Sequence, residues 1–460
     1  MVASSNDLFA VNLLTCKWDD CANSLVFMVF LKPINTKNDK IKTQTAIATL
    51  KIPTFMITEE NVFLSVVFNL LAINKDKFMK LRLLGFYTIF VFNAALGQIK
   101  VGAENTDAYL SYLKNKNIGL VVNHTSNIGK THLVDFLISK KINVKRIFAP
   151  EHGFRGEVSA GDNIKNSKDP KTGINIVSIY GDTKKPSKTM LKDLDVVVFD
   201  IQDVGARFYT YISTLYYVMQ ACAEEKKTLL ILDRPNPNGH YTAGPILDLK
   251  FQSFVGMNPI PVVHGLTIAE LAQMNNGENW LGKNLKCSLK IIKCSNYTHA
   301  TPYILPIKPS PNLPNATAIG LYPSLCLLEP TIISVGRGTD LQFQIAGGPN
   351  PNFGSYSFTP VDKPGAINPV NEGKPCYGLD LSKENALNQR FSLSYFIEFY
   401  KKHGAGNSFF SSKEFFNKLI GNDWVIKDIE NNLSEEEIEA KWQADLDKYR
   451  IKRKKYLLYE

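Results

Sequence analysis

From residue 118 onward the chain repeats one pattern: a short run of apolar, largely β-branched residues, then a longer stretch with apolar residues three and four apart. The runs occupy 118–123, 144–149, 174–179, 196–200 and 228–233, and helical spacing covers 130–140 and 208–225 between them. Strands this uniformly apolar need cover on both faces, and helices linking parallel neighbours supply it. The pattern therefore specifies an α/β chain built on a Rossmann-like, doubly wound parallel sheet. In such sheets ligands collect beyond the carboxyl ends of the strands, where loops from several strands converge.

The residues after each run are where chemistry is to be sought. They read Asn123-His124-Thr125-Ser126, then Pro150-Glu151-His152-Gly153-Phe154-Arg155-Gly156, Tyr180-Gly181, Asp200-Ile201-Gln202-Asp203-Val204-Gly205-Ala206-Arg207, and Asp233-Arg234-Pro235-Asn236. Any one tail has an ordinary explanation, since Asp and Asn cap helices and Gly and Pro make turns. Four polar tails at one sheet edge are not explained that way. Several familiar chemistries find no support. Gly129-Lys130-Thr131 lacks the first P-loop glycine, because His124 stands there. No G-x-G-x-x-G follows Asn123, no G-x-S-x-G elbow occurs, and the histidines lack H-E-x-x-H spacing. No cofactor is expected; a metal held by His152, Asp200 and Asp203 stays open as an alternative.

With 44% hydrophobic and 21% charged residues, the bulk of the chain is a folded, water-soluble protein. The net charge of +10 is dispersed, without a long basic tract, so no nucleic-acid partner is expected. The seven cysteines (16, 21, 222, 287, 294, 326 and 376) form no C-x-x-C and suggest neither a zinc ribbon nor a dense disulfide framework.

Residues 79–97 read as a signal peptide: Lys80 and Arg82 are a positive start, an apolar stretch follows, and Ala95-Leu96-Gly97 is a small-x-small cleavage pattern. A secretory signal works only at the beginning of a chain. Residues 1–78 are therefore expected to be spurious upstream sequence outside the fold, the mature chain to start at Gln98, and the protein to be secreted or periplasmic with no stable membrane span. Without residues 1–97 the basic residues number 43 and the acidic 36, a mildly basic chain with five cysteines. The fold is expected to divide at a proline-rich crossing (Pro302, Pro306, Pro309, Pro311, Pro314) into a Rossmann-like domain over 98–305 and a smaller C-terminal α/β domain over 306–460. The site is placed in the cleft between them. Residues 325–328 and 331–335 read as strands, Ser434-Glu435-Glu436-Glu437 as a helix start, and the basic run 450–455 as a solvated face.

The stretches VVNHTS, FAPEHGFRGE, VVVFDIQDVGARFYTYISTL, LDRPNPNG, FVGMNPIPVVHGLTIAELA, PSPNLPN, YPSLCLLEPTIISVGRGT and RIKRKKYLLY, in this order, resemble the NamZ-type exo-β-N-acetylmuramidases (glycoside hydrolase family 171). The resemblance spans about 118–459 and leaves residues 1–78 out. It implies cofactor-free release of a terminal non-reducing N-acetylmuramic acid from β-1,4-linked peptidoglycan fragments, in cell-wall turnover and recycling.

Glycoside hydrolysis needs a proton donor, a second stabilising or nucleophilic group and a pocket for an oxocarbenium-like transition state. Glu151 is the candidate acid, and burial beside Pro150 and Phe154 would suit it to hold a proton at neutral pH. Asp203 is the preferred second group, with Asp200, Asp233 and Glu329 as alternatives, and His152 has its own catalytic claim. A lactyl carboxylate calls for a guanidinium, for which Arg155, Arg207, Arg234 and Arg337 are candidates. Asn123, His124, Gln202, Tyr209 and Asn236 are candidate partners for sugar hydroxyls and the acetamide, with Tyr209 or Phe154 against the ring; Glu329 joins the set from the second domain, and His264 is read as orienting a loop. Two other readings are a non-catalytic sugar- or muropeptide-binding protein and a metal-dependent esterase or amidase. Mass spectrometry of the native protein is expected to find no peptide before Met79; abundant peptides from 1–78 would refute the internal start.

Overall fold

Alternation of side chains along each strand decides what every part of the sheet packs against. The computed structural model describes residues 97–154, 166–282 and 284–459, all within the compact unit Gly97–Glu460, together with the backbone of two antiparallel strands, Ala10–Leu14 and Met28–Lys32, in the unit Met1–Leu96. The segment read as a signal peptide lies outside the described residues, apart from Gly97.

The first half is a seven-stranded sheet: β1 (Asn117–Val122), β2 (Asn143–Ala149), β3 (Ser167–Lys168), β4 (Asn175–Ser178), β5 (Val196–Asp200), β6 (Thr228–Leu232) and β7 (Ser288–Ile292). Their order is β7-β6-β5-β1-β2-β4-β3, parallel throughout except where the edge strand β3 runs against β4. The order reverses at β1, which makes the crevice between the β1 and β5 tips the topological switch point, where ligands bind in sheets of this kind. Val121, Phe148, Val197, Phe199, Leu229 and Ile231 point to one face; Leu120, Val122, Ile147, Val196, Val198 and Leu230 point to the other. This two-residue period gives the sheet two cores. One holds α1 (Leu133–Ser139); the other holds α2 (Tyr211–Glu224) and α3 (Ile268–Gly277) and runs unbroken into the second half.

Five expected strands are present to within a residue at each end. β7 was not legible, because a serine and a lysine, Ser288 and Lys290, interrupt its short apolar run and most of it is only partly buried. The second half holds a three-stranded antiparallel sheet, β8 (Ile345–Gly348), β10 (Cys376–Asp380) and β9 (Tyr356–Phe358), in the order β8-β10-β9. Around it lie α4 (Ala316–Leu325), α5 (Ser394–His403), α6 (Lys413–Ile420), α7 (Trp424–Glu430) and α8 (Glu435–Arg453). The strand-like reading of 325–328 is corrected. The apolar run is the end of α4 and a 3₁₀ turn, because Asn315 caps the helix by accepting from the Ala318 amide and the whole run is buried. Residues 331–335 are not a strand either and make only isolated bridges, Thr331 with Phe410 and Ser334 with Gly347. Ser434 does open α8, exchanging hydrogen bonds with Glu437 in a capping box. The basic run at the end of α8 is not simply solvated: Arg450 donates to Thr242, Arg453 to the Gly265 carbonyl, and Lys452 pairs with Glu278 at 3.1 Å. All five described cysteines are free and buried.

The end of the chain returns to the sheet. Tyr459 donates to the buried Asp233 carboxylate at the β6 tip (2.7 Å), which also accepts from the Ala269 amide at the start of α3 (3.0 Å). Burial outweighs these donors and raises the Asp233 pKa to about 6. A carboxyl whose folded pKa lies above its unfolded value binds more protons when folded, so it costs stability as pH rises from about 4 through 6. Asp233→Asn is expected to flatten that part of the profile: the difference in urea midpoint between wild type and variant should change between pH 4 and pH 7. A difference that stays constant would contradict the assignment.

Candidate active site

Each strand tip is locked before it presents anything. After β1, Asn123 folds back on itself, its side-chain oxygen accepting from the Thr125 amide and hydroxyl at 2.9 and 2.6 Å, while the Ser126 hydroxyl donates to the Asp200 carbonyl. His124 Nε2 meets the Lys308 carbonyl at 2.8 Å, and burial lowers its pKa. After β2 the chain turns through His152 and Gly153, both left-handed with φ of 67° and 76°, closed by the Gly153 amide on the Pro150 carbonyl at 3.0 Å. A non-glycine residue held there costs about 1 kcal/mol or more, and such strain clusters at functional sites.

The turn delivers Glu151 and His152 to the wall of a cavity of about 550 Å³. Tyr180, after β4, donates its hydroxyl to Glu151 Oε1 at 2.8 Å, and Thr210, at the start of α2, donates to Oε2. The Tyr211 hydroxyl reaches the Glu151 carbonyl at 3.4 Å. Each of the two carboxyl oxygens is thus held by a hydroxyl. Tyr209 lines the same cavity, with its hydroxyl on the Pro309 carbonyl at 2.8 Å and its pKa raised by burial.

The opposite wall comes from the second half. Arg337 sits between Gly336 and Gly338, both at φ 79°, where an added Cβ would come within 2.6 Å of the Leu341 carbonyl and 2.5 Å of the Val361 carbonyl. The tight turn aims the guanidinium at Glu329 (2.5 Å), which also accepts from the Cys326 thiol at 3.2 Å. Burial alone would lower the Arg337 pKa, but Glu329 beside it prevails and raises it. Glu329, Arg337, Tyr322 and Phe343 all line the cavity, and the exposed side chains of Ile367, Val370 and Phe415 form an apolar rim.

Of the residues singled out from the sequence, the cavity gathers Glu151, His152, Tyr209, Glu329 and Arg337. Arg155 lies outside the described residues. The other two arginines are engaged elsewhere. Arg207 is fully buried, donating to the carbonyls of Pro245, Ile260 and Leu419 at 2.7–2.9 Å, and burial pulls its pKa down to about 9. Arg234 is bidentate on Asp200 at 2.6 and 2.9 Å. Gln202 braces the carbonyls of Asp203 and Pro235, and Asn236 ties the Leu266 carbonyl to the Asn238 amide. Asp203 is also buried: Oδ2 accepts from the Gly205 amide at 2.7 Å with His264 Nε2 at 3.4 Å, while Oδ1 has no hydrogen-bond partner. His264 does orient its loop, accepting from the Leu266 amide. Phe154 packs edge-on against His132. These polar side chains hold the strand tips or, for Arg207, the junction between the two halves, and are not in the lining of the cavity. Tyr180 and Thr210 were missed as site residues; Tyr180 immediately after a strand was the available signal. Among the described residues no three His, Cys, Asp or Glu side chains are grouped to hold a metal ion.

A doubly wound sheet with a fixed carboxyl at its tips and an arginine–carboxylate pair in the same cavity defines the class of α/β proteins that take a small polar ligand beyond the strand ends. Residues 118–317 match the N-terminal and 320–459 the C-terminal family model of the exo-β-N-acetylmuramidase NamZ, and the chain belongs to that glycoside hydrolase family. It is 36% identical over 381 residues to the peptidoglycan β-N-acetylmuramidase NamZ of Bacillus subtilis, covering 76% of this chain and 89% of that one. Two solved DUF1343 family proteins of Bacteroides fragilis share the fold. One is 48% identical at TM-score 0.74, the other 28% at 0.68, each covering 79% of this chain and 99% of its own.

If Arg207 is structural, Arg207→Gln leaves buried carbonyls unpaired and should cost roughly 2–4 kcal/mol in urea unfolding, with KM of the folded enzyme unchanged. A raised KM without loss of stability would place it in the site after all.

Proposed function

We propose that the cavity is the active site of an exo-acting β-N-acetylmuramidase of peptidoglycan fragments and that Glu151 protonates the departing glycosidic oxygen. The observation that carries the reading is the double hold on Glu151 by Tyr180 and Thr210 inside a sugar-sized cavity. A proton donor is efficient only when its carboxyl is fixed against the bond it cleaves. Arg337 is the arginine assigned to the lactyl carboxylate, since among the described candidates it alone lines the cavity. Glu329 orients it on one edge, and its buried Nε has no protein partner. Glu151 and Glu329 are the described carboxylates in the lining, while Asp203 is buried outside it and within electrostatic reach of Tyr209 and Tyr211. His152, on its strained turn beside Glu151, is assigned to contact the substrate there. The signal-like segment from Met79 and the start of the compact unit at Gly97 support secretion or a periplasmic location.

Glu151→Gln keeps the shape of the carboxyl and removes its proton. Binding of N-acetylmuramic acid should persist while kcat on the β-1,4 disaccharide with N-acetylglucosamine falls at least about a hundredfold. In the same assay Arg337→Gln should lower the preference for N-acetylmuramides over N-acetylglucosaminides by about tenfold or more. Hydrolysis undiminished in Glu151→Gln would remove its assigned role.

A further inference from the structure

An acid that protonates a glycosidic oxygen stands at the border between two sugars, so the wall on either side of Glu151 belongs to different parts of the substrate. That wall is a continuous series of contacts. From Thr210, on Glu151 Oε2, the chain leads back to Tyr209 and Phe208; both rings meet Tyr322 edge-on, at 5.9 and 5.3 Å, and Tyr322 meets Phe343 at 5.0 Å. Arg337 closes this side, 5.5 Å from the centre of Phe343. In the other direction, Tyr180 on Glu151 Oε1 lies 5.8 Å from Phe254, whose ring is stacked on Tyr217 at 6.3 Å with the Lys184 ammonium 5.2 Å from its centre. Tyr180, Phe254 and Val255 line the cavity. The two arms differ in character. The rings of the Arg337 arm, Phe208, Tyr209, Tyr322 and Phe343, are buried and lead to a fixed, partly exposed ion pair, whereas Tyr180, Phe254 and Tyr217 are all partly exposed rings.

We infer that Tyr180 and Phe254 form the subsite for the departing sugar, an N-acetylhexosamine whose O4 accepts the Glu151 proton, on the side of the cavity away from Arg337. The inference rests on the assignment of Glu151 above. The carboxylate-bearing sugar belongs to the arm with the fixed guanidinium, which leaves the partly exposed aromatic shelf to the sugar that departs and to whatever chain continues from it. A pyranose presents axial C–H groups to the faces of such rings, which carry the large apolar surface it can cover. Tyr180 serves both functions, holding the acid with its hydroxyl and supporting the shelf with its ring.

The test compares two substrates on the full-length enzyme: the β-1,4 disaccharide of N-acetylmuramic acid and N-acetylglucosamine, and β-N-acetylmuramyl fluoride, whose departing fluoride has no sugar to place. Phe254→Ala is expected to lower kcat/KM for the disaccharide roughly five- to tenfold relative to that for the fluoride. Phe254→Leu keeps apolar bulk against Tyr217 without the planar ring, should give a smaller shift in the same ratio, and decides the matter if Phe254→Ala does not fold. An equal loss on both substrates, or none on either, overturns the subsite. Failure of the underlying reading shows differently: a wild-type enzyme inactive on both substrates, or Glu151→Gln active on the disaccharide at the wild-type rate.

Discussion

The buried ion pair between Asp200 and Arg234 is the constraint on which the strand tips depend. Asp200 ends β5 with no exposure, and Arg234 follows β6 with two hydrogen bonds to it and a third to the Asn127 carbonyl beyond β1. Removing one partner of such a pair strands a charge in the interior, at a cost of roughly 3–5 kcal/mol. The pair therefore ties three neighbouring tips across the switch point of the sheet, and the Ser126 hydroxyl on the Asp200 carbonyl adds a fourth tie. With the crevice fixed in this way, the next tip out, at β2, can hold a strained turn and direct Glu151 outward.

The polar wealth of the strand tips thus divides into two layers with different work. The inner layer, Asn123, Asp200, Gln202, Asp203, Arg234 and Asn236, is buried and bonded mainly to backbone or to its own members. The outer layer, Glu151, His152, Tyr180, Tyr209 and Thr210, faces the cavity. Buried polar groups are costly unless partnered, so the inner layer is a network that fixes geometry. Arg207 does the same for the junction between the halves, bracing carbonyls at 245, 260 and 419.

The unbroken core from the sheet into α4–α8 explains why the second half can complete the site. Tyr322 and Phe343 pack against the same cluster as Phe208 and Tyr209, so Arg337 and Glu329 are held at a fixed place opposite Glu151 by apolar contact. The C-terminal residues reinforce this arrangement, with Leu458 and Tyr459 bonded to Glu270 and Asp233 beneath the sheet tips.

Local pattern alone determined the parallel sheet, five of its strands, the α8 capping box and the position of Glu151 at a strand tip, because periodicity and capping depend on residues a few places apart. It could not distinguish an arginine that meets substrate from one that meets backbone: Arg207 and Arg337 both stand among glycines and apolar residues. Nor could it separate an apolar helix end from a strand at 325–328, where burial on all sides erases the period. Those distinctions, and the pairing of Tyr180 with Glu151 across 29 positions, were decided only by tertiary structure. Which donors face solvent-filled space and which face a carbonyl depends on contacts between distant segments, and the local sequence carries no record of them.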